Sequence, residues 1–168
     1  MTRKNPMPEL LRHWREAVPD DRLAHLIRDV ARAQMRALQL RLAEHDVSFG
    51  HWTFLRILWL KDGLTQRELS ELAGVMEPTT FAAVKAMEQM GLVERRQLAG
   101  NRKNMHVFLT PAGRALQSQL VPLAEEVNRI SVAGHSRTEE KQMRQFLLHM
   151  LENLAADAER GTVTGSSD

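Results

Sequence analysis

Residues 64–91 read LTQRELSELAGVMEPTTFAAVKAMEQMG, and residues 92–109 follow as LVERRQLAGNRKNMHVFL. Thr65 with Glu68 three residues on is a capping-box pattern, which marks a helix start. Leu69 and Leu72 are expected to face inward, and Gly74 to end this short helix. A second helix follows a tight turn. Pro78 suits its first position, where the missing N–H costs nothing. Thr80, Ala83, Val84 and Met87 recur at helical spacing and form its inner face. Gly91 stops it. Leu92 to Leu98 alternates, Ala99-Gly100-Asn101 is turn chemistry, and Met105 to Leu109 alternates again, which predicts a hairpin.

Helix, turn, helix and hairpin in that order form the winged helix-turn-helix layout. Its second helix lies in the DNA major groove, and the hairpin reaches the neighbouring minor groove or backbone. Local charge agrees. From Lys85 to Arg114 there are six basic residues (Lys85, Arg95, Arg96, Arg102, Lys103, Arg114) against two acidic ones (Glu88, Glu94). That excess sits where DNA would lie, although the whole chain carries a net charge of only +2. A solvated hairpin would show the same charge alone; charge together with this helix order points to DNA.

Working outward, a long helix is expected from Asp21 to about Glu44. Leu23, Ile27, Val30, Gln34, Ala37 and Arg41 line one face; Leu26, Ala33, Leu38 and Leu42 widen it. Ser48 is placed to cap a second helix from Phe49 to about Lys61. That helix is apolar nearly all round and should sit centrally. After the hairpin, Thr110-Pro111 opens a fifth helix that continues past Pro122, which should bend it. Gly134 and Ser136 break it. Thr138 is expected to cap a last helix striped by Met143, Phe146, Leu147, Met150, Leu151 and Leu154. Pro6, Pro8 and Pro19 make residues 1–20 an N-terminal arm, and residues 161–168 read as a disordered tail. The expected partition is 1–20 arm, 21–62 dimerisation and core helices, 63–110 reader, 111–160 C-terminal dimerisation helices, 161–168 tail. The fold class is therefore mainly α (α+β), a winged helix-turn-helix with a two-stranded wing.

Composition removes several alternatives. The chain has 168 residues, 43% of them hydrophobic, enough for one folded core. It has no cysteine, so disulfides, thiol sensing and thiolate zinc sites are excluded. The apolar run from Phe54 to Leu60 is too short to span a bilayer and contains Arg56. No apolar run follows the N-terminus, so no signal peptide and a cytoplasmic location are expected. There is no phosphate loop, His-Glu-x-x-His motif or nucleophile elbow, and no cofactor or enzyme activity is expected. No two histidines lie at i, i+3 or i+4, and no metal site is expected. A metal-responsive regulator built from distant histidines, and a winged-helix protein-interaction module without DNA binding, remain the alternatives.

The motifs also carry a resemblance. Leu64-Thr-Gln-Arg-Glu-Leu-Ser-Glu-Leu-Ala-Gly-Val75, Gly91-Leu-Val-Glu-Arg-Arg96, Asn101-Arg-Lys103 and Val107-Phe-Leu-Thr-Pro-Ala-Gly-Arg114 resemble the MarR family. Two helices before the reader and two after it extend the resemblance over nearly the whole chain. It implies an intertwined homodimer on a palindromic double-stranded operator in a bacterial, nucleoid-associated setting. Repression and release by a small ligand, often an aromatic acid or its thioester, are further implications.

Two departures stand out. The family's wing usually carries Asp-x-Arg; here it is Asn101-Arg102-Lys103, and Lys103 lacks the planar fork of arginine. The second helix lacks the arginine many relatives place near Ala82. Its outer face reads Pro78, Thr79, Phe81, Ala82, Lys85 and Ala86, so readout is expected to lean on thymine methyls and DNA shape. The DNA-binding candidates are Thr65, Gln66, Pro78, Thr79, Thr80, Phe81, Lys85, Arg95, Arg96, Arg102 and Lys103. Thr79 and Lys85, taken to share a face, are the expected major-groove contacts.

In the family the ligand lies between the long helices and the reader. His51, Trp52 and Arg56 near the start of the second helix form one candidate effector site, a carboxylate held against a ring. The same residues also read as a backbone-bonded histidine, a core tryptophan and a surface charge. Arg28, Arg32 and Arg36 repeat at four-residue spacing, where like charges repel. An anionic ligand, a partner subunit's carboxylates or plain solvation would each account for that stripe. Finally, the first and last helices both carry apolar stripes that one short chain has no second layer to cover, so two copies are expected to pair.

Overall fold

The computed structural model describes residues 23–98 and 101–163, apart from the side chains of residues 101–103 and 161–163. The expected arm, residues 1–20, and positions 164–168 of the expected tail lie outside the described residues. The chain divides into two units, residues 1–127 and 128–168.

In the first unit, α1 (Leu23–Leu42) leads through a 3₁₀ turn (Ala43–His45) to α2 (Phe49–Leu60). Ser48 caps α2 as its sequence implies, its hydroxyl accepting the His51 N–H at 3.1 Å. Trp52, Phe54, Leu55 and Leu58 of α2 are all buried, which confirms its central position. They meet Leu38 and Leu42 of α1, Leu69, Val84 and Met87 of the reader helices, Val107 and Leu109 of the hairpin, and Leu120. One core thus holds the reader to its supports.

The reader is α3 (Gln66–Ala73) and α4 (Glu77–Gln89). The Thr65–Glu68 capping box is present in both directions, and Gly74 closes α3 at φ 65. Two expectations need correction. Leu72 is 60% exposed, because only Leu69 of that pair points into the core. Pro78 is the second residue of α4, whose first is Glu77.

The wing is β2 (Val93–Leu98) against β3 (Asn101–Leu109), antiparallel, with an irregularity at Gln97/Leu98. The expected two-stranded wing has a third member. β1 (Leu64–Thr65) pairs with β3, Leu64 opposite Val107 and Thr65 opposite His106, in the order β1-β3-β2. Two residues are too few to show a period of two, so this strand leaves no pattern in sequence.

Thr110 caps α5 (Pro111–Ser131), accepting the Gly113 N–H at 3.1 Å. The helix continues through Pro122, as expected. In the second unit α6 (Arg137–Val163) begins at a Ser136–Glu139 capping box, so Ser136 and not Thr138 is the cap. Its backbone runs to Val163, past the start of the expected tail. Phe146, Leu151 and Leu154 are each at least 64% exposed. In α1, Leu23, Leu26 and Val30 are exposed too. Among the described residues no helix is long and apolar enough to cross a membrane.

Gly113 seats α5 on the rest of the first unit. Its carbonyl accepts the Trp59 indole N–H at 2.9 Å. A Cβ there would lie 2.1 Å from the Leu92 carbonyl oxygen, which already accepts the Thr110 N–H. Alanine would gain about 1 kcal/mol of helix propensity. The clash is with backbone, which cannot swing aside, and overpacking of this kind costs about 1–3 kcal/mol. Gly113→Ala should therefore lower stability in urea unfolding, despite placing the better helix former in a helix.

Candidate nucleic-acid interface

Helix α4 has a buried and an open side. Thr80, Val84 and Met87 are buried. The Thr80 hydroxyl lies 2.7 Å from that of Ser70, which is itself 2.8 Å from the Gln66 carbonyl. Each hydroxyl has one proton, so Ser70 donates to the carbonyl and Thr80 donates to Ser70. Thr80 thus fastens α4 to α3 from the inside, with 0% exposure. It cannot meet a base, and its place among the DNA-facing residues is withdrawn.

Pro78, Thr79, Phe81, Ala82 and Lys85 are exposed, as is Gln89. At about 100° per residue, Pro78, Ala82, Lys85 and Gln89 fall on one line with Phe81 beside it. Thr79 does not share a face with Lys85: six residues leave them about 120° apart. Gln89 was not singled out from sequence, although its spacing of four from Lys85 and seven from Ala82 was a usable signal.

The cations of β2 are engaged within the chain. Arg95 is held by Glu88 of α4, with Nη2 to Oε2 at 2.7 Å and Nε to Oε2 at 3.2 Å. The guanidinium also lies 5.9 Å from the centre of the Phe81 ring. The hydrogen bonds from Arg95 hold the Glu88 carboxyl below the usual carboxylate range. Arg96 lies over the Phe108 ring at 4.8 Å and pairs with Glu94. Arg114 pairs with Asp62, whose other oxygen accepts the Leu109 N–H at 2.9 Å. Lys85 is exposed with no ion pair among the described residues. The Arg102 and Lys103 side chains lie outside the described residues. Thr65 is taken up by its cap, and the Gln66 side-chain nitrogen is buried without a hydrogen-bond partner among the described residues.

The expected effector residues of α2 do not all share one face. Trp52 is 5% exposed and packs edge-on against Trp59, ring centres 5.6 Å apart. Arg56 is exposed, about 140° round the helix from His51. His51 keeps a buried ring Nδ1 with no partner among the described residues, and burial lowers its pKa from the usual 6.5. On α1, Arg28 and Arg32 are exposed, and Arg28 lies 3.4 Å from Asp29. Among the described residues no three His, Asp or Glu side chains form a group able to hold a metal ion.

A two-helix reader joined through one core to a β-hairpin defines a winged helix-turn-helix protein. Residues 47–105 match the MarR family. The chain is 30% identical to the transcriptional regulator PA3341, whose crystal structure superposes with a TM-score of 0.71 over 79% of this chain and 98% of that one. It is 28% identical to the homoprotocatechuate degradative operon repressor of Escherichia coli, over 77% of this chain and 82% of the repressor. The fold is also that of a MarR-family regulator from Listeria monocytogenes, solved with a 26-mer DNA, at 23% identity and a TM-score of 0.74 over 89% and 98% of the two chains. The chain belongs to the MarR family, whose members are DNA-binding transcriptional regulators.

The Arg95–Glu88 pair makes a quantitative prediction. A guanidinium bound by a carboxylate on two nitrogens is withheld from phosphate. Glu88→Gln removes the competing charge, so Arg95 should gain one phosphate contact. On a duplex selected from a random pool, the slope of log affinity against log salt should steepen by about 0.9. An unchanged slope would place Arg95 off the DNA in both forms.

Proposed function

We propose that the protein is a dimeric, sequence-specific transcriptional repressor that binds a palindromic operator and is released by a small organic anion. The observation that carries the reading is the open face of α4, lined up beside a basic wing on a shared core. In this reading residues 63–110 are the reader. Pro78, Phe81, Ala82 and Lys85 face the major groove, with Thr79 at its flank and Arg102 and Lys103 at the neighbouring minor groove. Arg96 stands near the backbone, and Arg95 acts first as a brace.

The helices within 21–62 and 111–160 bring two copies together. The uncovered apolar residues of α1 and, separately, of α6 support this, since pairing removes such surface from water. A two-fold axis then sets two readers on two half-sites, hence the palindrome. The effector's polar end meets His51 beside Trp52, with Arg28 and Arg32 of α1 as the candidate positive charges, while Arg56 stands on another side of α2. Because burial keeps His51 neutral near pH 7, it serves there as a hydrogen-bond partner. An effector that weakens DNA binding tenfold must itself bind the DNA complex tenfold more weakly, a coupling of about 1.4 kcal/mol.

Light scattering at micromolar concentration should give the mass of a dimer, and a monomeric mass would remove the two-fold argument. In gel shifts with a benzoate and salicylate series, at least one carboxylate should release the DNA. His51→Ala should blunt that release while sparing DNA affinity, because His51 lies outside the reader. The sign with pH follows from the lowered pKa. Protonating His51 favours an anion, so effector affinity should rise as pH falls below 6.5. The protein's own stability should decline over the same range, because the unfolded chain takes up that proton first.

A further inference from the structure

The start of α4 exposes Glu77 and Thr79 on its flanks and an apolar strip between them. Residues near the N-terminus of a recognition helix reach base edges. Here those on the open face are Pro78, Phe81 and Ala82, all exposed. None has a hydrogen-bonding side chain. Thr80 is turned inward to Ser70, Lys85 and Gln89 lie further along, and Thr79 is off the line. Phe81 is 50% exposed, and its ring is the largest apolar side chain on that face.

The ring is also held in place. Arg95 from the wing lies over it, and Glu88, two turns along the same helix, grips Arg95 on two nitrogens. The wing thus places a guanidinium 5.9 Å from the ring centre, while the ring stays half exposed. A cationic neighbour on one side narrows the directions the ring can take, which reduces the entropy cost of binding. Lys85, exposed one turn along the helix, suits a polyanion, while Arg95 beside the ring is neutralised by Glu88. One major-groove feature matches an exposed apolar ring, the 5-methyl group of thymine.

We propose that Phe81, positioned by Arg95 and Glu88, is a specificity-determining residue that reads a thymine 5-methyl group in each half-site. This deepens the reading of the protein as a DNA-binding repressor and rests on it. Discrimination at that base pair is then apolar and favours 5-methylpyrimidine over the same base without its methyl. Arg95 and Glu88 are positioning residues, acting on the DNA through the orientation of Phe81.

The test crosses a change in the DNA with a change in the protein. The full-length chain selects a preferred duplex from a random pool, and that duplex is remade with deoxyuridine in place of each thymidine in turn. Deoxyuridine pairs like thymidine and lacks only the methyl. The parent should bind one substituted position in each half-site about three- to fivefold more weakly, the factor expected for losing one buried methyl. Phe81→Ala should bind thymidine and deoxyuridine duplexes equally, and Phe81→Leu should retain part of the preference. Glu88→Gln should reduce the preference without removing it. Equal binding of both duplexes by the parent, with the selected sequence still preferred, overturns the inference and leaves the repressor reading intact. Failure to enrich any sequence overturns both.

Discussion

Two residues of backbone ladder determine where the reader stands. Leu64 and Thr65 pair with Val107 and His106, so the chain entering the helix-turn-helix is bonded to the returning strand of the wing. The joint is reinforced on each side. The Gly63 N–H donates to the Val107 carbonyl at 3.1 Å, and the His106 ring Nδ1 lies 2.8 Å from the Gly63 carbonyl. Gly63 sits at φ 76, and a Cβ there would meet the Phe108 ring at 2.6 Å, so the close approach requires glycine. Thr65 then caps α3, and Ser70 and Thr80 fasten α3 to α4. Helix and wing are therefore registered through a short chain of bonds. The angle between them, on which simultaneous groove contacts depend, follows from that joint.

Charge near the reader is organised as much for structure as for binding. Of the six basic residues between Lys85 and Arg114, Arg95, Arg96 and Arg114 each pair with a carboxylate of the same chain. Exposed pairs of this kind contribute little to stability, about 0–1 kcal/mol. Their larger effect is to fix orientation. Arg114 and Asp62 tie the start of α5 to the loop before β1, and Arg95 with Glu88 ties the wing to the recognition helix. A basic count over a segment thus overstates the charge free to meet phosphate.

Helix α1 belongs to two environments. Its last turns bury Leu38 and Leu42 in the core that also holds α3 and α4, while Leu23, Leu26 and Val30 near its start are uncovered. Arg41 pairs with Glu126 of α5 at 3.0 Å, so the buried half is anchored. His51 lies in the first turn of α2, whose start is secured by the Gln39 side chain accepting the Phe49 N–H at 2.6 Å. A buried imidazole nitrogen without a partner among the described residues therefore lies at the start of the helix that centres the reader's core.

The sequence by itself determined whatever is settled within a turn of helix. Ser48, Thr65 with Glu68, Gly74 and the Thr110-Pro111 start all act through bonds spanning three or four residues, and each stands as read. So does the inner face of α4, because a period of 3.6 is local. The same local logic holds at Ser136 with Glu139, a fuller capping pattern than the one Thr138 offers. Only tertiary structure decided the rest. β1 is two residues long and exists because a strand over forty residues away presents a free edge. Glu88 meets Arg95, and Arg95 meets Phe81, because the hairpin folds back on the helix. Leu72 is open because nothing packs over it. His51 and Arg56 are close in sequence, yet helix geometry points them apart. Such partners are chosen by packing in three dimensions, and no spacing along the chain encodes them.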